Sequence, residues 1–285
     1  MKYAVFTVSM PEYAPEAAAA FLKEAGYEGV EWRLVPGKPY DESAAPAYWT
    51  NNRCELHEEN VLANAEKIGK LCREYGLAMP SLGAYAGCGA PERAKLAIEA
   101  AARLGAPCVR IGCPGYDPKR GYRAVYEEGV EQYAKVEQLA REYGVRACIE
   151  THPGNITPSA SAAYRFVSNF DSRYVGVIYD AGNMVNEGYE NFQMGLEILG
   201  EYLAHVHIKN ERHQETVYPY GGYQHWKADA CEMWKGEVDT LAVLRALKSV
   251  GYDGWLSFED FYTGMTTEEK LRGNLAFMRE LEAQL

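Results

Sequence analysis

The sequence predicts an α/β fold, a (β/α)₈ TIM barrel, as a single domain over residues 1–285. Three observations carry that expectation. A strand-like run is followed by a longer helical pattern about eight times over. Helical runs stop at a glycine shortly before the next strand, as in EAGYEG, REYGLA, ARLGAP, REYGVR and SVGYDG. No low-complexity tract, linker or composition shift divides the chain. Alternating strands and helices imply parallel strands joined by right-handed crossovers. An open doubly wound sheet would want a glycine-rich phosphate turn after its first strand. Here that turn reads SMPEYAPE, with neither a GxGxxG nor a P-loop pattern.

Taken in order, the first strand is expected at 3–8 (YAVFTV) and its helix near 13–25. The second strand, 28–33 (EGVEWR), precedes a long insertion at 34–57 and a helix near 58–75. The third and fourth strands fall at 77–83 (LAMPSLG) and 107–112 (PCVRIG), with helices near 90–104 and 122–143. The fifth and sixth, 145–150 (VRACIE) and 174–180 (YVGVIYD), are followed by helices near 159–170 and 190–200. The seventh, 202–209 (YLAHVHIK), leads into the longest irregular stretch, 210–236, and a helix near 237–249. The eighth, 254–259 (GWLSFE), precedes a last helix near 266–284.

With 47% hydrophobic and 24% charged residues, the chain has the composition of a globular protein with a sizeable core. A formal net charge of −11 repels a phosphate backbone, so no nucleic-acid partner is expected. Seven cysteines without C-x-x-C pairing point to reduced thiols and a cytoplasmic location. The opening MKYAVFTVSMPEY is broken by Pro11 too early to read as a signal peptide, and no apolar run reaches transmembrane length. No membrane partner is expected either.

Alternate side chains of a barrel strand face the helices and the interior. Applied to the last four strands, that period sends Val145, Ala147, Ile149, Val175, Val177, Tyr179, Ala204, Val206, Ile208, Leu256 and Phe258 outward. Glu150, Asp180, His207 and Glu259 are then the inward residues at the carboxyl ends, where barrel active sites sit. Three crowded carboxylates repel one another unless a cation neutralises them. Three oxygens and an imidazole suit Mn²⁺, Mg²⁺ or Co²⁺ well, and Zn²⁺ acceptably. The competing expectation gives each acid its own Lys or Arg partner; four such positions in register weigh against it. His205 falls one layer deeper, as a core residue or a support for His207.

The runs CIETHPGN, VIYDAGNMVNEG, HVHIKN and GYDGWLSFED resemble the xylose isomerase-like barrel superfamily of sugar phosphate isomerases and epimerases. The resemblance spans essentially the whole chain. It implies that Glu150, Asp180, His207 and Glu259 bind one divalent metal ion, Mn²⁺ first, and that Glu150 and Glu259 also serve as an acid/base pair. The implied partner is a small sugar or polyol. The expected reaction is isomerisation or epimerisation by proton transfer through a metal-stabilised enediolate. The alternative is dehydration of a keto-inositol or related keto-polyol. Ketose 3-epimerases of the superfamily carry a second glutamate where this chain has Ile156, and commonly a histidine in place of Asn183. Those departures keep the inosose dehydratase-like branch open. An apurinic-site endonuclease is disfavoured by six histidines and the acidic charge, and a non-catalytic sugar-binding protein by the intact ligand set.

Several neighbours are candidate substrate-binding residues. His152 shares the facing of Glu150, Asn183 follows Asp180, and Lys209 shares the face of His207. Glu31 and Arg33, read at the end of the second strand, are expected to reach hydroxyls across the mouth. Arg110 is as plausible an ion-pair partner in the interior, and His57 either approaches the site or merely precedes a helix. The 210–236 stretch, with Tyr218, Tyr220, Tyr223, Trp226 and Trp234, is expected to be either a lid offering stacking faces or an interface in a homo-oligomer.

Overall fold

The computed structural model describes residues 1–38, 40–217, 221 and 224–285. Eight parallel strands close on themselves: β1 (Lys2–Phe6), β2 (Gly29–Val35), β4 (Ser81–Ala84), β5 (Cys108–Arg110), β6 (Arg146–Glu150), β7 (Val175–Asp180), β8 (Leu203–Ile208) and β11 (Trp255–Phe258). Closure comes from β1, which pairs in parallel with both β11 and β2. The outer ring holds α1 (Pro15–Ala25), α2 (Val61–Tyr75), α3 (Pro91–Leu104), α4 (Tyr122–Tyr143), α5 (Ala160–Val167), α7 (Phe192–Leu199), α8 (Thr240–Ser249) and α9 (Thr267–Glu282). A short α6 (Asn183–Asn186) follows β7.

Local chemistry sets these boundaries. α1 and α2 stop at Gly26 (φ 93°) and Gly76 (φ 64°), whose left-handed backbone lets their N–H groups return to carbonyls of the last turn. α8 starts on Asp239, whose side chain accepts from the Ala242 N–H at 2.9 Å. α9 starts on a reciprocal capping box between Thr266 and Glu269.

Some strand ends differ from expectation. The third barrel strand begins at Ser81 rather than Leu77, because Pro80 has no N–H to give to a ladder; Ala78 makes only an isolated bridge to Gly29. The first ends at Phe6, and Thr7–Ser9 turn into a 3₁₀ helix. The second runs on to Val35, where β3 (Glu55–His57) pairs beside it. The 210–236 stretch is not irregular throughout: β9 (Glu211–Thr216) and β10 (His225–Ala230) form an antiparallel hairpin.

Two layers of side chains fill the molecule. Outward residues such as Val30, Trp32, Leu34, Ile149, Val177, Tyr179, Val206 and Phe258 are buried against the helices. The expected outward set is met except at Ala204. The β7–β8 register jumps between Val177 and Ile178, so Ala204 is the extra residue of a bulge. It packs instead against Cys108, Cys148 and Ile178 in the barrel interior. Above that small apolar floor the interior turns polar, with Glu31, His205, Glu150, Asp180 and His207 all buried. All seven cysteines are buried and free. Among the described residues no helix is long and apolar enough to cross a membrane.

Candidate active site

The strand register brings the four inward residues to one place. Asp180 and Ser257 both lie opposite His207, and Glu259 follows Ser257 by two residues on the same face. One ligand atom each from Glu150, Asp180, His207 and Glu259 lie within 4.8 Å of one another, and all four residues are buried. Glu150 Oε1 accepts from His207 Nδ1 at 2.9 Å and lies 3.4 Å from Asn183 Nδ2. Its Oε2 is 3.1 Å from Arg110 Nε but finds no well-aligned hydrogen bond. Asn183 braces the pair of acids: its backbone N–H donates to Asp180 Oδ1 at 2.9 Å, and its side-chain amide reaches Oδ2 at 3.2 Å. Lys209 Nζ lies between Asp180 Oδ2 at 2.9 Å and Glu259 Oε2 at 2.5 Å.

Electrostatics follow from that crowding. Burial pushes the Glu150 carboxyl up, but Arg110, His207 and Lys209 together hold it well below the usual carboxylate range. Asp180 goes the other way. Its burial dominates, Lys209 offsets part of it, and the Glu150 and Glu259 charges add to the rise. Burial would lower Lys209, yet Asp180, Glu259 and Glu150 raise it well above the ordinary lysine value. Three carboxylates in one buried cluster thus keep every nearby cation charged.

Beneath His207 lies an acceptor that the sequence reading placed elsewhere. Glu31 is fully buried, and its Oε2 accepts from Nε2 of both His205 and His207 at 3.1 Å. It does not reach the mouth, because β2 continues four residues past it to Val35. The bond commits His207 Nε2 to Glu31 and leaves Nδ1 as the nitrogen facing the carboxylates. That is the arrangement in which a second carboxylate orients a metal-ligating imidazole. With the orphaned Glu150 Oε2, the oxygen-rich donor set and a lysine ammonium already drawn among the acids, the residues fit a divalent cation.

Above the four residues opens a cavity of about 510 Å³. Arg110, His152, Asn183, Lys209 and Glu259 all line it. His152 Nδ1 donates to the Pro153 carbonyl at 2.7 Å, which leaves Nε2 to the cavity. Arg33 stands outside, with its guanidinium against the rings of Trp49 and Tyr85 and its Nη1 on Glu55 Oε2 at 2.8 Å. His57 faces Glu55 at 3.5 Å and does not line the cavity; it precedes α2.

The expected stacking faces are also displaced. The hairpin edges the cavity with Ala228, Asp229 and Ala230. Trp226 is exposed without lining it, and Trp234 packs on Phe277 of α9 at 6.1 Å. Tyr218, Tyr220 and Tyr223 lie outside the described residues. The aromatic walls come from Trp49, Tyr85 and Phe261 instead. Two of these had a signal: Tyr85 stands two residues after Gly83, and Phe261 two after Glu259, on inward-facing periods. Trp49, inside the 34–57 insertion, had none.

Comparison with known proteins gives the same architecture. A family model described as a xylose isomerase-like TIM barrel matches residues 19–281. An uncharacterized protein of Methanocaldococcus jannaschii is 26% identical over 199 residues, covering 66% of this chain and 63% of that protein. An inosose dehydratase of Histophilus somni is 26% identical over 140 residues, 45% of each chain. The matches therefore span less than two thirds of either relative's length. Among solved structures, apo 3-keto-D-glucoside 4-epimerase YcjR from E. coli superposes with a TM-score of 0.73 at 16% identity, covering 98% of this chain and 99% of that one. The IolI protein, solved with a bound zinc atom, gives 0.73 at 17% identity, covering 100% and 99%.

Proposed function

Because the chain belongs to the xylose isomerase-like TIM barrel family, we propose that it is a divalent-metal-dependent isomerase or epimerase of a small sugar or keto-polyol. The observation that carries the reading is the buried set of Glu150, Asp180, His207 and Glu259, converging within 4.8 Å at the floor of a polar cavity. These four residues would hold the ion, with Mn²⁺ best suited to three oxygens and one nitrogen. When bound, it supplies Lewis-acid polarisation of a carbonyl and its neighbouring hydroxyl.

The chain's own groups do the rest. Glu150 Oε2, which carries no hydrogen bond, is placed to take the proton beside the carbonyl. Glu259, from a strand well separated from Glu150 around the barrel, is placed, once it has itself taken up a proton, to deliver it from another side. Delivery to the opposite face of the same carbon epimerises it; delivery to the neighbouring carbon exchanges aldose for ketose. Lys209 and Arg110 hold substrate oxygens, and Asn183 keeps Glu150 and Asp180 in place. Phe261 and Tyr85 shield the reacting carbon from water.

A dehydratase reading is the second candidate. It is favoured by His152, which lines the cavity and in its doubly protonated form would carry an Nε2–H to serve a departing hydroxyl as acid, and by the likeness to an inosose dehydratase. The deciding experiment incubates the protein and Mn²⁺ in D₂O with ketoses, keto-inositols and their phosphates, followed by NMR. Deuterium at the carbon beside the carbonyl is expected, and its loss in both Glu150→Gln and Glu259→Gln. Exchange that persists unchanged in both variants refutes the mechanism.

A further inference from the structure

A second pocket adjoins the first across the shared rings of Trp49 and Tyr85. Its volume is about 250 Å³, and the 34–57 insertion supplies most of its wall, including Lys38, Tyr40, Thr50 and Glu55. Arg33 forms its floor. That side chain is 5% exposed, its Nη1 is held by the Tyr48 carbonyl at 2.7 Å and by Glu55, and its Nε has no hydrogen-bond partner. Deepening the reading above, on whose reaction site it rests, we propose that this pocket binds a second, uncharged sugar ring, so that the substrate is a glycoside or disaccharide rather than a free monosaccharide.

The chemistry selects that occupant. An aromatic plane in Trp49, 53% exposed, offers a stacking face for a ring's axial hydrogens. Arg33 and Glu55 place a donor and an acceptor side by side, the pairing that vicinal hydroxyls satisfy. The same pair argues against a phosphate. Glu55 already neutralises Arg33 at 2.8 Å, its carboxylate stands in the wall that an anion would have to meet, and the other cation of the wall, Lys38, is exposed and screened by solvent. Asn51 and Asn52 are spent on the loop itself. Asn51 bonds the carbonyls of Asp41, Ala44 and Ala45, and Asn52 those of Val8 and Tyr48, which fixes the insertion around the pocket. One reacting ring over Glu150 and Glu259 and a second beyond Trp49 and Tyr85 match two cavities sharing two aromatic walls.

The test is a calorimetric titration of the Mn²⁺-loaded protein with glucose, glucose 6-phosphate, methyl glucoside, maltose, cellobiose, trehalose and sucrose. At least one disaccharide is expected to bind tenfold or more tighter than glucose, with glucose 6-phosphate no tighter than glucose. Tyr40→Ala, which removes a wall belonging to the second pocket alone, is expected to erase that increment. Thr50→Trp, which fills the pocket from an exposed position, is expected to do the same should Tyr40→Ala unfold. Disaccharides all binding like glucose, or a preference for the phosphate, overturn the proposal. Deuterium exchange on ketoses and keto-inositols, run beside the titrations, separates the two readings, since methyl glucoside, trehalose and sucrose carry no carbonyl. A disaccharide preference without exchange on any ketose or keto-inositol supports the second pocket and fails the reaction. Exchange on free ketoses without any disaccharide preference supports the reaction and overturns the second pocket.

Discussion

Glu31→Gln is the sharpest probe of how the site is held. In the native protein one carboxylate oxygen, Oε2, accepts from two imidazoles at 3.1 Å in surroundings with no solvent access. Burial would raise the Glu31 carboxyl, and the two histidines more than reverse that, so it stays ionised. The amide keeps the shape but withdraws the charge, and its NH₂ end can only donate, against imidazole nitrogens that must themselves donate. With the amide oxygen in the place of Oε2, both histidines keep only a weaker, uncharged acceptor and the NH₂ is buried at the Oε1 position, which has no partner; turned the other way, the NH₂ meets two donors, so either orientation loosens the hold on His207. Loss of such a supporting carboxylate typically weakens metal binding about 10–100-fold, or about 1.4–2.7 kcal/mol. The assay is titration of the metal-free protein with Mn²⁺ and with Zn²⁺, alongside His207→Ala, which removes the proposed ligand itself. Affinity in Glu31→Gln within about twofold of the native protein, while His207→Ala abolishes binding, would refute the reasoning. Glu31 would then be a buried charge that merely satisfies His205.

Two further perturbations probe the neighbouring layers. Lys209→Met removes the ammonium that lies among the carboxylates at 2.9 Å from Asp180 and 2.5 Å from Glu259. The acids then repel one another without compensation, so the metal-free protein is expected to melt lower, Mn²⁺ to bind more tightly, and proton exchange to fall; weaker Mn²⁺ binding would show that Lys209 supports the ion rather than substituting for it. Gly83→Ala would place a methyl group 2.2 Å from Cε2 of Phe6, a fully buried ring that lies 5.5 Å from His207. Overpacking of that kind costs about 1–3 kcal/mol, read as a lower urea midpoint that Phe6→Leu partly restores; an unchanged midpoint would mean the ring has room to yield.

The layer order explains which parts were legible in the sequence. Period two along β6, β7 and β8 names Glu150, Asp180 and His207, because each is the inward residue at the carboxyl end of its strand, although Glu150 pairs with Ile178 and only Asp180 lies opposite His207. Helix ends were legible for a similar reason, since glycine at α1 and α2 and the capping box of α9 act within a single turn. What failed were quantities that depend on neighbouring strands. Glu31 carries the same facing signal as Glu150, yet its depth depends on where β2 stops. That is decided by its two neighbours: β4, which pairs as far as Leu34, and β3, fifty-odd residues into the chain and joined through an insertion with no periodicity of its own, which pairs as far as Val35. Ala204 was misplaced by a bulge, which adds one residue to β8 without any mark in its own composition. Trp49 illustrates the limit most clearly. It reaches both cavities only because Asn51 and Asn52 tie the insertion to distant carbonyls, and a side chain positioned by a loop's hydrogen bonds leaves no spacing to read. A barrel thus writes the buried polar floor of its cavity into strand periodicity, while the walls above it come from loops whose geometry is settled only by tertiary contact.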